Sequence, residues 1–305
     1  MSSRSKTTWI LALAVILLFA GSHLAQSYLD QPAVGPSDTS TPQRIISLAP
    51  SVTEVLFALG LDDRVVGVTR FCQYPAEAVG KPRVGGYFDP NYEAILALKP
   101  DMVFTLTGKE ENRPAFEKMG LRCVALCHLN VEGILDSIEQ IGRICDVAEA
   151  ADRLLADLRG RMRQIERRTA GLRRPRVLFA IDRPRGSGRL DDVYIAGSDG
   201  HVDRMIAMAG GQNAYRGPIR FPIVSAEGIL GLNPEVLIDM VPSLADDPSV
   251  AAAAAKDWRQ LPQVDAVAHD RVHVLNENFI SVPGPRFILV VEKLARLIHP
   301  EVEWD

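Results

Sequence analysis

The sequence predicts an α/β protein of two Rossmann-like lobes with mainly parallel sheets, joined by one long α-helix. Three observations support this fold class: a long amphipathic segment in mid-chain, a motif repeated on either side of it, and strand patterns that alternate with helix patterns. The 305 residues are enough for two lobes of ordinary size, each with a hydrophobic core.

The mid-chain segment, residues 146–171, is predicted to be the linker helix. Its apolar residues recur at helical spacing and form one stripe: Leu154, Leu155, Leu158, Met162 and Ile165. We expect Asp146 to cap the amino end and Gly171 to follow the last turn. The helix would be roughly 36 Å long at 1.5 Å per residue. Because it has no evident hinge, we expect only small movements of the lobes.

The repeated motif supports the division into two similar lobes. Residues 93–104 read EAILALKPDMVF, and residues 227–238 read EGILGLNPEVLI, at an offset of 134 positions (227 − 93). Asn91 and Ser225, two residue types that cap helices, match at the same offset. Each copy predicts a short helix, a proline that ends it, and a buried strand.

The amino-terminal residues 1–25 are typical of a secretory signal, because Arg4 and Lys6 precede an apolar run. That run, Trp9 to Ala20, is short for a transmembrane helix, which needs about 20 apolar residues. The alternative is an uncleaved amino-terminal membrane anchor. Residues 26–43, rich in Ser, Thr, Pro and Gly, are predicted to be a flexible tether. The rest of the chain is therefore expected in the periplasm or another extracytoplasmic space.

The first lobe is predicted over residues 44–145. Its strands are short apolar runs at 44–49, 65–69, 102–106 and 122–126. Its helices, besides the repeat helix, are predicted at 53–59, 113–119 and 131–143.

The second lobe is predicted over residues 172–305. Its strands are predicted at 176–181, 194–196, 236–240 and 272–275, and its helices at 201–209, from 251, and at 286–297. Ligands of parallel sheets bind beyond the carboxyl ends of the strands. The residues at or near such ends in the first lobe are Phe71, Cys72, Tyr87, Leu106, Cys127 and His128.

Charge and motifs exclude several classes of protein. The net charge of −4 argues against a nucleic-acid partner, which would call for a basic surface. The sequence contains no phosphate-binding P-loop, no dinucleotide-binding glycine motif, no nucleophile elbow and no His-Glu-x-x-His zinc motif. We therefore expect a protein that is not an enzyme.

Several short motifs point to one family. They are residues 44–54, residues 66–68, the repeat at residues 93–103, and residues 209–213, 221–227 and 283–286. Together they resemble the helix-linked (class III) periplasmic substrate-binding proteins of ABC importers, which carry cobalamin, ferric siderophores or haem, and the cobalamin-binding type most. The resemblance implies a monomer without an intrinsic cofactor. It implies a metal-chelate ligand held between the lobes and delivered to a permease dimer in the membrane.

The resemblance also implies roles for particular residues. Phe71, Tyr87 and Phe221 match aromatic positions that line the ligand cleft, where flat rings suit a macrocycle. Leu106 stands where the cobalamin-binding type has tryptophan, and Asn278 where an aspartate contacts the ligand. Because of these two differences, a ferric siderophore and haem are alternative ligands to cobalamin.

The two repeat glutamates match the family's docking residues. Glu93 and Glu227 would each contact arginines of the permease, one glutamate per lobe. The alternative for either residue is a first-turn glutamate that the helix dipole favours.

The chemistry of three other polar residues also predicts a place at the ligand site. Arg183, with the neighbouring loop arginines, is expected to face an anionic ligand. Cys72 and His128 are expected at the cleft as well. An alternative function is a transition-metal binder that uses Cys72, Cys127 and His128. A disulfide between Cys72 and Cys127 is the alternative for these two cysteines. A second alternative is an exported hydrolase on the same scaffold.

Overall fold

The computed structural model describes residues 40–108, 113–185, 189–241 and 248–304. They form two α/β lobes joined by one helix, which confirms the predicted fold class. The predicted signal segment and most of the predicted tether lie outside the described residues. Among the helices in the described ranges, none is both long and apolar enough to cross a bilayer.

The first lobe is built on a four-stranded sheet in which every neighbouring pair is parallel. The strands, in the spatial order β2-β1-β3-β4, are β1 (Ile45–Ser47), β2 (Val65–Val68), β3 (Met102–Leu106) and β4 (Arg122–Leu126). The helices are α1 (Pro50–Ala58), α2 (Ala76–Val79), α3 (Tyr92–Ala97), α4 (Arg113–Lys118) and α5 (Val131–Ile144). The two central strands, β1 and β3, are mainly apolar and almost entirely buried, as parallel strands covered by helices should be.

The linker helix, α6 (Ala148–Thr169), is continuous over 22 residues and passes through Gly160 without a break. Its start differs from the prediction, because Asp146 has φ of 55° and Val147 precedes the helix without a side-chain cap. Asp146 is used to turn the chain tightly out of α5, and Val147 N donates to Gly142 O over 2.8 Å. At the other end Gly171 has φ of 78°, which is the left-handed conformation expected after a helix.

The second lobe is built on a mixed sheet of six strands. The strands are β5 (Arg176–Asp182), β6 (Val193–Ile195), β7 (Gln212–Asn213), β8 (Ile223–Val224), β9 (Val236–Met240) and β10 (Val272–Leu275). The helices are α7 (His201–Met208), α8 (Ala226–Leu232), α9 (Pro248–Trp258), α10 (Asp265–Ala268) and α11 (Phe287–Ile298). Strands β10, β9, β5 and β7 are parallel, whereas β6 and β8 form an antiparallel edge. The expectation of mainly parallel sheets holds, with this edge as the exception.

One hydrophobic core extends through both lobes and the linker helix. Leu155, Leu158 and Ile165 of α6 are buried, and they belong to the same cluster as Val52 of α1 and Phe287 of α11. Because the lobes share a packed core along the helix, a wide opening would expose apolar surface. The packing therefore favours the small lobe movements expected from the sequence.

The two copies of the repeat fold in the same way. Asn91 accepts a hydrogen bond from Ala94 N over 3.0 Å at the start of α3, and Ser225 accepts one from Gly228 N over 3.3 Å at the start of α8. Lys99 and Asn233, which match at the offset of 134, both have positive φ, 46° and 39°. Each short helix is thus capped at its first turn and ended by a left-handed residue.

The acidic residue after each proline has a structural role. Asp101 accepts from the backbone N of Gln43 and of Arg44, over 2.8 and 3.0 Å. Glu235 accepts from Arg176 N over 2.9 Å in the second lobe. In both lobes, therefore, this carboxylate fixes the beginning of the first strand beside the repeat helix.

Candidate functional site

The lobes meet where the loop after β10 packs against α1. Gly284 in this loop lies so close to the first lobe that an added Cβ would be 2.9 Å from Glu54 Oε2 and 3.3 Å from Ser51 Cα. A larger residue at position 284 would push the lobes apart. Close backbone approach therefore explains the glycine in the motif of residues 283–286.

An ion pair crosses the junction beside this glycine. Arg286, just before α11, donates from Nε to Glu54 Oε2 over 2.9 Å and from Nη2 to Glu54 Oε1. Its Nη1 donates to Asn278 Oδ1 over 2.7 Å, and its guanidinium lies 3.7 Å from the centre of the Tyr74 ring. Glu54 is only 3% exposed. Burial raises the pKa of this carboxyl, and the hydrogen bonds from Arg286 oppose that rise.

A cavity of 280 Å³ opens on one side of the ion pair and has walls from both lobes. The first lobe contributes Pro50, Glu54, Phe71, Gln73 and Tyr74, and the second contributes Asn278, Ser281, Val282 and Arg286. Two residues predicted to bind the ligand, Phe71 and Asn278, thus come from opposite lobes to one cavity.

A second cavity, of 550 Å³, shares Glu54, Tyr74 and Arg286 with the first. Its other walls come from α1, the linker helix and α11, with Phe57, Leu154, Asp157, Leu158, Arg161, Ile288 and Leu289 among the lining residues. The Glu54–Arg286 pair consequently separates a cavity between the lobes from a cavity beside the linker.

Phe71 is held in an exposed position by its neighbours. Its ring is 54% exposed, and the guanidinium of Arg70 lies 4.7 Å from the ring centre. Arg70 in turn makes two hydrogen bonds to the carboxylate of Asp89, over 2.9 and 3.0 Å. Gly86 lies under this pair, where a Cβ would be 2.4 Å from Asp89 Oδ1. The Arg70–Asp89 pair therefore ties the Phe71 loop to the loop that carries Tyr87.

Tyr87 and Leu106 are neighbours in the first lobe. The Tyr87 hydroxyl donates to Thr107 O over 3.2 Å, directly after the end of β3, and both side chains are partly buried. Phe88 packs edge-on against Tyr87 with ring centres 5.0 Å apart, and Phe88 is 73% exposed. Together with Phe71, these rings give the first lobe an exposed aromatic surface.

Phe221 supplies an aromatic ring on the second lobe. It is 52% exposed, in a loop held by the hydrogen bond of Gly197 N to Arg220 O over 2.8 Å. Tyr87 and Phe221 are also 134 positions apart (221 − 87), so the repeat includes one aromatic residue per lobe. Neither of the two cavities described above is lined by Tyr87 or Phe221.

The prediction that Cys72 faces the ligand is wrong. Its thiol is fully buried, and Sγ lies 3.1 Å from the hydroxyl oxygens of both Thr53 and Thr69. The residue follows β2 as expected, but the chain turns so that Phe71 points outward and Cys72 points into the core. Cys72 is therefore part of the packing under the cleft rather than part of its surface.

His128 is likewise buried, which corrects its assignment to the cleft surface. Its Nε2 and Nδ1 lie 2.7 and 2.8 Å from the hydroxyl oxygens of Ser137 and Ser51. Because the Ser137 hydroxyl donates to Ile134 O, it accepts from Nε2–H, and Nδ1 then accepts from Ser51. Burial lowers the pKa of His128 to about 4. The ring is therefore a neutral connector of α1 and α5.

This arrangement predicts a stability that depends on pH. Below pH 6.5 the unfolded chain protonates the imidazole while the native state keeps it neutral until about pH 4. His128 should therefore contribute a fall of about 1.4 kcal/mol per pH unit to the free energy of unfolding as pH decreases through this window. Urea denaturation at several pH values measures the slope. His128→Gln should reduce it, and His269→Gln, at an exposed position, is the control for replacing a histidine.

Arg183 does not face a ligand either. Its side chain is fully buried, with Nη2 2.7 Å from Asp239 Oδ2 and Nη1 2.7 Å from Asp257 Oδ2. Trp258 Nε1 also donates to Asp239 Oδ2, over 2.8 Å. The position of Arg183 after a strand end was misleading. An arginine at such a position points into its own lobe when buried carboxylates of neighbouring elements bind its guanidinium.

The alternative of a Cys/His metal site receives no support from the described residues. Cys72, Cys123, Cys127 and Cys145 are all free thiols there, so the Cys72–Cys127 disulfide does not form. Over the described ranges, no three residues among the histidines, cysteines, aspartates and glutamates come together in a metal-binding group. Cys72, Cys127 and His128 are accordingly not a cluster.

Sequence reasoning missed Glu54, Tyr74 and Arg286 as site residues. Glu54 and Arg286 are 232 positions apart, so no local pattern connects them. Their presence in the motifs at residues 44–54 and 283–286 was the available signal.

Comparison with known proteins shows similarity along most of the chain. A family model described as "Periplasmic binding protein" matches residues 45–278. An uncharacterized ABC transporter substrate-binding lipoprotein of Bacillus subtilis is 28% identical over 268 residues, which are 85% of this chain and 81% of the relative. A vitamin B12-binding protein of Vibrio cholerae is 26% identical over 257 residues, which are 83% and 88% of the two chains.

Solved structures share the architecture. A periplasmic heme binding protein from Pseudomonas aeruginosa superposes with a TM-score of 0.74 at 25% identity, over 86% of this chain and 94% of that one. The periplasmic vitamin B12 binding protein of Vibrio cholerae has a TM-score of 0.72 at 24% identity, over 85% and 97%. The second likeness is evidence for the fold alone.

Proposed function

The chain belongs to the periplasmic binding protein family, and on that premise we propose that it binds a metal chelate between its lobes and delivers it to an ABC importer. The ligand class is cobalamin, haem or a ferric siderophore. The protein works outside the cytoplasm as a monomer, without an intrinsic cofactor and without a catalytic step. Relatives named for vitamin B12 and heme binding support this ligand class.

The observation that carries the proposal is the cavity shared by the two lobes. Phe71 from the first lobe and Asn278 from the second line it together, above the Glu54–Arg286 pair. Ligand sites of this kind combine apolar rings with a few fixed polar groups. Here Arg286 fixes the Asn278 side-chain oxygen, so the polar group is oriented before a ligand arrives.

The size of the cavity indicates how the ligand sits. Pockets that enclose drug-sized ligands have about 300–1,000 Å³, and this cavity of 280 Å³ is smaller. A macrocycle would therefore cover the cavity and extend over the exposed rings of Phe71 and Phe88, with Phe221 on the second lobe. Rigid aromatic rings give a large contact area at low entropic cost. The ligand site is therefore shallow and open rather than enclosed.

Delivery requires a docking surface, and we assign it to Glu93 and Glu227. Both side chains are exposed on the first turns of α3 and α8. Within the described part of the chain, Glu93 has no hydrogen-bond or ion-pair partner. One acidic residue on each lobe suits a permease dimer that presents basic residues twice.

Ligand titration tests the binding proposal. We expect the purified protein to bind at least one of cyanocobalamin, haem and a ferric siderophore, as followed by absorbance and calorimetry. The double variant Phe71→Ala/Phe221→Ala should lower the affinity for that ligand by about tenfold or more, because aromatic anchors dominate such contacts.

Val79→Ala is the control, since it also truncates an exposed apolar side chain, on α2. Its affinity should equal that of the wild type. The proposal fails if none of the three ligands binds, or if the double aromatic variant binds as tightly as the control.

A further inference from the structure

The repeat places a second matched pair of residues on the surface. Leu96 and Leu230 are 134 positions apart (230 − 96), and they are 44% and 38% exposed. In both copies of the repeat, the same large aliphatic residue is exposed at the same position of the short helix. Single exposed leucines are ordinary in proteins, so the matched pair is what calls for an explanation.

Folding of the two helices does not need these leucines. Ile95 and Ile229, one position earlier, are fully buried and anchor α3 and α8 to their lobes. Side-chain caps hold the first turns, and Arg44 and Arg176 donate to carbonyl groups at the helix ends. The leucines contribute to none of these interactions. The exposed surfaces of the two leucines are therefore available for contact with a partner.

Each leucine shares a helix face with a glutamate. Residues three positions apart lie about 5–6 Å from each other on a helix surface, so Leu96 neighbours Glu93 and Leu230 neighbours Glu227. The next residue on that face is small in both copies, Ala97 or Gly231, and is also exposed. Both lobes thus present the same surface of one acid, one leucine and one small residue.

These surfaces are joined to the ligand-binding loops. Asn91, the cap of α3, donates from its backbone N to Val84 O, just before the Tyr87 loop. In the second lobe, Phe221 precedes the Ser225 cap of α8 by four residues (225 − 221). A partner that contacts both helices would therefore be close to the aromatic residue of each lobe.

We propose that Leu96 and Leu230 are the apolar anchors of the surface that docks on the permease dimer. This inference rests on the proposed function, in which Glu93 and Glu227 meet basic residues of that dimer. The partner is a two-fold symmetric membrane protein that presents, in each half, a cation beside an apolar depression. The acid and the leucine have different physical roles in such a contact.

Charge and apolar burial affect different rate constants. Exposed carboxylates steer the encounter, so they raise the association rate and make it depend on salt. A leucine is buried only after contact, so it slows dissociation. The leucines therefore hold a complex whose formation the glutamates accelerate.

The experiment measures association and dissociation of the protein on permease complexes in lipid nanodiscs. The permease is the one whose ATP hydrolysis the wild-type protein stimulates. Leu96→Gln/Leu230→Gln should dissociate at least about tenfold faster, with an unchanged association rate and unchanged dependence on salt. Each single variant should show part of the effect, because each lobe contributes one leucine. Glu93→Gln/Glu227→Gln should instead associate more slowly, mainly at low salt.

Val79→Gln, which changes another exposed apolar side chain, is the control and should behave as the wild type. Ligand affinity in solution should be the same in all variants. If the double leucine variant dissociates at the wild-type rate, the inference is overturned. In that case, a loss of binding in the double glutamate variant would show that the docking proposal still holds. If neither double variant changes binding, both proposals are overturned.

Discussion

Arg183→Met is expected to lower the free energy of unfolding by about 3–5 kcal/mol, because it leaves buried carboxylates without their counter-charge. Asp239 and Asp257 both bond to this guanidinium, and neither the arginine nor Asp239 has any exposed side-chain surface. Urea denaturation followed by circular dichroism measures the loss. The folded fraction should bind ligand with wild-type affinity, since the side chain does not reach the cleft.

The control for this substitution is Arg189→Met. Arg189 belongs to the same loop and pairs with Asp191, but its side chain is 79% exposed. Exposed ion pairs contribute about 0–1 kcal/mol, so the control should change stability little. A ligand-binding defect in Arg183→Met at unchanged stability would restore the sequence-based view that this arginine faces the ligand.

Arg286→Met is expected to lower stability by a similar amount, about 3–5 kcal/mol, and to disturb the junction of the lobes. The substitution removes the partner of Glu54, which is buried, and the group that orients Asn278. Ligand affinity should therefore fall together with stability. Denaturation and ligand titration on the same samples measure the two effects.

A double-mutant cycle and a matched pair sharpen this prediction. Glu54→Gln combined with Arg286→Met removes the unpaired charge, so it should recover a large part of the stability lost in the single variant. Arg204 also bridges the lobes, to Glu132 over 3.1 Å, but these side chains are 47% and 58% exposed. Arg204→Met should therefore cost less than about 1 kcal/mol. Equal losses for Arg286→Met and Arg204→Met would contradict the special role of the buried pair.

The positions of several strands follow from local patterns of hydrophobic residues in the sequence. The predicted strands at 102–106, 122–126, 236–240 and 272–275 match β3, β4, β9 and β10. β3 and β9 are almost entirely buried, whereas β4 and β10 lie at sheet edges and are mostly half-buried, yet all four are short, mainly apolar runs of the kind that predicts a strand. The short antiparallel edge formed by β6 and β8 was harder to foresee, because β8 has only two residues and depends on pairing with β6.

Side-chain direction is where local patterns failed. Phe71 and Cys72 are adjacent in sequence, yet the first is 54% exposed and the second is fully buried. Cys72 contacts Thr69 in its own loop and Thr53 of α1, and the position of α1 beside the loop is not visible in the local sequence. A position at the end of a strand therefore predicts proximity to the cleft but not the direction of the side chain.

Short-range spacing and caps specify the two-lobe α/β architecture, the linker helix and the equivalence of the repeat helices, so these features could be read from the sequence. Which polar residues are buried and which face the cleft depends on the packing of segments that are distant in sequence. Arg183 and His128 contact partners from distant segments of their own lobes, and Glu54 and Arg286 pair across 232 positions. Burial of a charge is tolerated only where a partner is positioned to receive it, and long-range packing creates that position.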